Sequence, residues 1–122
     1  MAGLTLYGLL IVTAAFAGAP PQKTTKKPPA KAAPSAATIA AGKKVYEANA
    51  CGGCHAVGGT GGTSGPELTK VAADPKHTAK WLEAQVKNPK THTPESTMPP
   101  YGDKIKGKDL SNLVAYLGSL KK

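Results

Sequence analysis

The chain has no arginine, one tryptophan, one phenylalanine and, after the initiator, one methionine, Met98. Its 122 residues hold two cysteines, and seven acidic side chains face sixteen basic ones, all of them lysine. Each shortage excludes something. Lysine without arginine speaks against base-reading nucleic-acid recognition, because bidentate contact with guanine is made most often by arginine, and no nucleic-acid motif occurs. An aromatic content of 5% and a low-complexity N-terminal third leave room for one small domain with a thin core, short of what such a chain needs unless something else is buried with it. The surplus of lysine, a formal +9, points instead to an anionic membrane or acidic protein partners.

The two cysteines fall together in Cys51-Gly52-Gly53-Cys54-His55. This spacing suits covalent haem attachment, in which two thiols add across the vinyl groups of one porphyrin edge and the following imidazole becomes the proximal iron ligand. Cys51 and Cys54 are then tethers and His55 a metal ligand. A thioredoxin-like redox pair or half a zinc site would use the same Cys-x-x-Cys spacing. Zinc, however, needs two more ligands at short spacing, and His77 and His92 are isolated; the redox pair lacks its strand–helix context. One covalently attached haem c also remedies the thin core by supplying apolar surface for helices to pack around.

Residues 1–19 contain no charged side chain and read as a signal peptide or an N-terminal membrane anchor. Ala15-Phe16-Ala17 offers a small-x-small cleavage site, whereas the missing positive n-region and marginal apolar length suit neither role fully. Lysines follow the segment rather than precede it, against the positive-inside tendency, but haem attachment places the domain in the periplasm or elsewhere outside the cytoplasm. That inference prevails, with the expectation that a few residues precede Met1. Residues 20–37, rich in proline, lysine and alanine, read as an extended linker reaching about 50 Å in polyproline geometry. A tether of that reach favours a retained anchor, hence a domain attached to the cytoplasmic membrane.

The domain proper is expected over 38–122. Ile39, Gly42, Val45 and Tyr46 follow helical spacing into Cys51, and Gly42 within that helix predicts close approach of another helix. The glycine-rich run 58–65 is a loop; it lacks both the dinucleotide spacing and a Gly-Lys-Ser/Thr ending, which excludes a nucleotide site. Leu68 and Val71 have room for one or two helical turns. Asp74 as N-cap and Pro75 at the first position predict a helix carrying Trp81, Leu82 and Val86, with His77 exposed in its first turn and an end by Asn88, before Pro89. Trp81 is a core residue that can also donate its indole N–H to a haem propionate. The proline-stiffened loop 91–101 carries Met98, well placed for a thioether–iron bond; His92 is its rival in the same loop. Residues 106–120 form a terminal helix with Leu110, Leu113, Val114, Leu117 and Leu120 on one face, and Tyr116 flanks this stripe where it can cross Gly42.

The order helix, Cys-x-x-Cys-His, Gly65-Pro66-Glu67-Leu68, Trp81-Leu82 helix, Met98-Pro99-Pro100-Tyr101 and terminal helix with Tyr116-Leu117 resembles small class I monohaem cytochromes c over about residues 38–122. The resemblance implies an all-α fold of three to five helices around one haem, with terminal helices crossing and the Pro66 carbonyl accepting a hydrogen bond from the His55 imidazole. It further implies a single-electron carrier rather than an enzyme, working as a monomeric domain between respiratory or photosynthetic redox partners. With twelve lysines against seven acids, the folded part has a formal +5 that suits partners with acidic docking patches. A haem subunit fixed in a membrane oxidoreductase complex, or a peroxidase or gas-binding protein with an open distal site, are the other readings.

Overall fold

A computed structural model describes residues 33–122. The expected leader or anchor at 1–19, and the linker as far as residue 32, lie outside the described residues. Three α-helices frame the domain: α1 (Ala36–Ala48), α2 (Ala79–Lys87) and α3 (Gly107–Gly118). Single 3-10 turns at Cys51–Gly53, Val71–Ala73 and Pro89–Thr91 bend the connections. Among the described residues there is no strand, only an isolated bridge between Val57 and Thr60, so the fold is all-α as expected.

α1 begins two residues before the expected boundary, because Ser35 caps it: its Oγ accepts the Thr38 N–H at 3.2 Å. Ala36 and Ala37, counted in sequence as linker, are good helix formers once an N-cap satisfies the first free N–H groups. α2 begins later than expected. Thr78, not Asp74, is its N-cap, with Oγ1 accepting the Trp81 N–H at 3.2 Å. The Asp74 side chain is spent on a tight turn, accepting the Lys76 N–H at 2.8 Å, while the Asp74 carbonyl accepts from His77 N–H at 3.0 Å. His77 therefore lies in the turn ahead of α2 rather than in its first turn, and it is half-buried, not exposed. α3 stops at Gly118, yet Leu120 beyond it still packs on the core and its carbonyl accepts the Ala72 N–H at 2.9 Å.

The core is thin and continuous: Leu82 and Val86 of α2, Ile105, and Leu110, Leu113, Val114 and Leu117 of α3, joined by Tyr46 and Tyr116. α1 and α3 cross with their backbones in contact at Gly42. A Cβ there would collide with the Asn112 carbonyl oxygen and come within 2.7 Å of the Tyr116 Cβ, so only glycine permits the approach. One turn on, Tyr46 and Tyr116 meet edge-to-face, ring centroids 5.5 Å apart at 64°, a geometry that contributes about 0.5–1.5 kcal/mol beyond area burial.

Gly42→Ala tests this crossing. Alanine is the better helix former by about 1 kcal/mol, yet the clash with backbone is expected to force the helices apart at a net cost of roughly 1–3 kcal/mol. Thermal unfolding followed by far-UV circular dichroism should show the midpoint falling, by about 4–8 °C for each kcal/mol lost. An unchanged or higher midpoint would mean that the helices separate without cost.

Candidate functional site

The end of α1 aims the haem-binding pentapeptide. Asn49 closes the helix, and Ala50 then takes a left-handed conformation, φ 53°, which costs about 1–2 kcal/mol outside glycine and turns the chain sharply into the 3-10 turn Cys51–Gly53. The Cys51 carbonyl accepts the N–H groups of Cys54 at 3.2 Å and His55 at 3.0 Å, so both thiols and the imidazole leave one tight turn. Cys51 is half-buried, Cys54 exposed and His55 buried. Burial pushes the Cys51 thiol above the ordinary range, with the neighbouring Cys54 charge acting in the same direction.

His55 is held on several sides. Its Nδ1 lies 2.8 Å from the Pro66 carbonyl oxygen; a carbonyl can only accept, so Nδ1 carries the proton and Nε2 keeps its lone pair for a metal. Tyr46 donates its hydroxyl to the His55 carbonyl at 3.0 Å. The glycine-rich loop covers the turn backbone to backbone: Gly62 N–H donates to Gly52 O at 2.9 Å and Gly65 N–H to Cys54 O at 2.7 Å. A Cβ on Gly65 would stand 2.5 Å from His55 Cε1, which explains a glycine where the loop passes the ring.

Met98 comes from a separate loop. Tyr101 N–H donates to Val86 O at 3.0 Å and Gly102 N–H to Lys87 O at 3.2 Å, tying that loop to the end of α2. Two neighbouring cavities of about 340 Å³ each are lined in common by Cys51, His55, Pro66, Gln85, Met98 and Tyr101. The smaller-walled lobe adds Cys54; the other has Trp81 on its wall and Leu82, Val86, Ile105, Leu113 and Leu117 as its floor. All six residues singled out in the sequence thus line these two lobes. His92 lines neither: it is exposed, its ring stacks on Trp81 at 4.5 Å, and its Nδ1 lies 3.0 Å from Gln85 Oε1.

This donor set fits a haem: two free thiols on one rim, an imidazole with a fixed tautomer and a largely apolar chamber. It does not fit zinc, since no cluster of three or more His, Cys, Asp or Glu that could hold a metal ion occurs among the described residues. Sequence reasoning missed three features. The Tyr46 hydroxyl was hidden behind its role in an apolar stripe, Gln85 has no distinguishing motif, and the His77–Trp81 stack was obscured by assigning His77 to the helix.

Comparison with known proteins agrees with this geometry. Residues 39–121 match the family model for cytochrome c, and the chain belongs to that family. Its cofactor is accordingly a covalently bound haem c, the group that serves electron transfer in this family. The chain is also similar to cytochrome c oxidase subunit 2 of Alkalihalophilus pseudofirmus, 40% identical over 86 residues covering 66% of this chain and 25% of that protein. It therefore spans about a quarter of the length of that curated relative. No solved structure matches the chain.

Tyr46 supplies a test in alkaline solution. Burial pushes its hydroxyl from an ordinary 10 up to about 12. The unfolded chain loses this proton first as pH rises, so the contribution of Tyr46 is complete below pH 10, decays between 10 and about 12 and is gone above that. Denaturant midpoints measured against pH should fall through this window, and Tyr46→Phe should flatten that part of the curve while costing about 1 kcal/mol at neutral pH through the lost hydrogen bond to His55. An identical slope in the variant would remove Tyr46 from the account.

Proposed function

We propose that the protein carries single electrons on a haem c held by Cys51 and Cys54 and ligated by His55 and Met98, and that it catalyses no bond chemistry. What carries this reading is that His55 and Met98, from two separate loops, line the same two lobes, with both thiols beside them. The haem supplies ferric–ferrous exchange; the chain decides what else is allowed. Pro66 fixes the His55 ring and raises its basicity as a ligand. With the haem bound, Met98 would be its second protein ligand and would leave no open site for oxygen or substrate, and its neutral thioether together with the apolar floor would favour the ferrous state and a fairly positive potential. Trp81 donates its indole N–H to a haem propionate.

The donor and acceptor are redox proteins with acidic docking patches, met outside the cytoplasm, where domains of this family usually work. Exposed lysines steer these encounters. The ion pairs Lys43–Glu47, Lys87–Glu83 and Lys106–Asp103, at 3.8–3.9 Å on exposed faces, contribute little to stability and leave the formal +5 of the folded part uncancelled. Residues 1–19 attach the domain to the membrane, and the linker from residue 20 up to the Ser35 cap of α1 tethers it. No helix among the described residues is long and apolar enough to cross a membrane.

A fixed relay is the second reading, favoured by one observation: the matching relative is an oxidase subunit, of which this chain resembles a quarter. In that case the electron acceptor is a terminal-oxidase centre and the domain stays docked. Co-purification of the full chain with an oxidase complex in mild detergent would mark the fixed relay, and purification of the chain alone the tethered shuttle.

Visible and electron paramagnetic spectra test the ligation. The ferric protein is expected to be low-spin at neutral pH, and Met98→Ala to become high-spin and open to added azide or cyanide. A high-spin wild type that binds these ligands would overturn the carrier assignment in favour of an open-site haem protein. For the partners, oxidation or reduction should slow steeply as ionic strength rises, because screening shortens the reach of charge to about 8 Å at physiological salt. A rate insensitive to salt would reject lysine steering.

A further inference from the structure

Trp81 stands on the wall of the lobe floored by Leu82, Val86 and Leu113, with an imidazole on each face. The His77 ring stacks on the indole with centroids 4.0 Å apart at 26°, and the His92 ring stacks on the other face at 4.5 Å and 14°. Both imidazoles are pinned. His77 Nδ1–H donates to the Val71 carbonyl at 2.6 Å and His92 Nδ1–H to Gln85 Oε1 at 3.0 Å, since a carbonyl or amide oxygen only accepts. Trp81 and His77 line the chamber, whereas His92 lies outside it and is exposed. The indole and the His92 ring therefore form a continuous aromatic path from the chamber wall to the surface.

Charge is uneven about the two ways out of the chamber. Residues 51–69 and 93–103, which carry Cys54 and the Met98 loop, contain no lysine and three acids, Glu67, Glu95 and Asp103. Residues 70–92, which carry the three stacked rings, contain five lysines against two acids, and each of these lysines is exposed. Both acids are engaged: Asp74 accepts the Lys76 N–H at 2.8 Å, and Glu83 pairs with Lys87 at 3.8 Å. Lys70, Lys76, Lys80 and Lys90 have no ion-pair partner among the described residues, and Lys70 lines the lobe with His77 and Trp81. An acidic partner is thus drawn toward the stack and repelled from the Cys54 side.

We propose that the acidic redox partner docks on the face marked by Trp81 and His92, flanked in the chain by Lys76 and Lys90, and that the electron crosses the protein surface there. This rests on the electron-carrier reading above and gives it a docking face. One electron passes between the haem and the partner's redox centre; no bond forms or breaks, no proton moves, and the indole is neither oxidised nor reduced. Rings stacked this closely leave no room for water between them, so the electron has no wet gap to cross on the way out. Tryptophan is also among the side chains most enriched where binding energy concentrates in an interface. The lysines set the rate of encounter, and the rings supply the contact.

The test uses the haem-loaded full chain. Hexacyanochromate(III), a redox-inert paramagnetic trianion, broadens NMR signals where it docks; in the ferrous protein it should broaden the backbone amides of residues 76–92 and spare those of 52–65. Electron transfer is followed at low ionic strength by mixing the ferrous protein with hexacyanoferrate(III), which takes up the electron. Lys90→Gln and Thr63→Glu lower the net charge equally, but Lys90→Gln should slow oxidation severalfold and Thr63→Glu, in the glycine-rich loop over the Cys54 turn, much less. His92→Ala should also slow it, whereas His92→Phe, which keeps a ring on the indole, should restore the rate. Broadening centred on residues 52–65 or spread evenly over the surface, a larger effect of Thr63→Glu than of Lys90→Gln, or equal rates in the two His92 variants would overturn the proposal. Haem attachment and ferric spin state in the same samples report the carrier assignment separately, so a low-spin protein with its footprint at residues 52–65 refutes the docking face alone.

Discussion

The structure depends on the contact of α1 with α3 at Gly42. Because the two backbones touch there, α3 can place Leu113 and Leu117 under the haem chamber while α1 places Tyr46 over the His55 carbonyl. A side chain at that point would separate the two halves of the site as well as the two helices. The tyrosine pair one turn along closes the crossing and buries the hydroxyl that steadies the proximal turn. Packing and ligand geometry are therefore one construction in this domain, which is what a chain with so thin a core requires.

Around that crossing, the backbone does work that side chains do in larger proteins. The His55 imidazole is oriented by a carbonyl, steadied through its own carbonyl and overlaid by a loop in which Gly61, Gly62 and Gly65 leave no room for a Cβ. Carbonyls have one hydrogen-bonding role, so they determine which ring nitrogen keeps its proton. The Pro66 carbonyl holds Nδ1 of His55 in this way, and the Val71 carbonyl holds Nδ1 of His77. The same device thus orients two histidine rings.

Charge reaches this interior on one side only, where Glu67, Lys70 and Asp74 line the chamber. The chamber floor is leucine, valine and isoleucine, and the lysines stand on exposed faces, three of them in long surface pairs with little energetic weight. An apolar floor acts over short range, whereas a surface field of lysines acts at a distance and is weakened by salt.

Much of this was legible in the residues themselves. Cys51, Cys54 and His55 declare haem by covalent spacing, which no packing can alter, and α3 declares itself by helical periodicity. Gly42 announced a close approach because a glycine inside a helix has few other uses, and the structure put Asn112 and Tyr116 against it. Met98 stood out as a methionine in a polar, proline-rich loop. The boundaries were less legible: Ser35 capped α1 ahead of the expected start at residue 38, and Thr78 prevailed over Asp74, because a cap is chosen by which side chain reaches a free N–H and Asp74 had been taken by its own turn. Tertiary structure alone decided that Tyr46 reaches the His55 carbonyl, that Val71 fixes His77, and that His92 stacks on Trp81 outside the chamber instead of entering it. These are meetings between segments whose distance in space depends on how the loops close. Local sequence determines spacing along a helix or turn, whereas the meeting of a ring with a distant carbonyl exists only once the helices have packed.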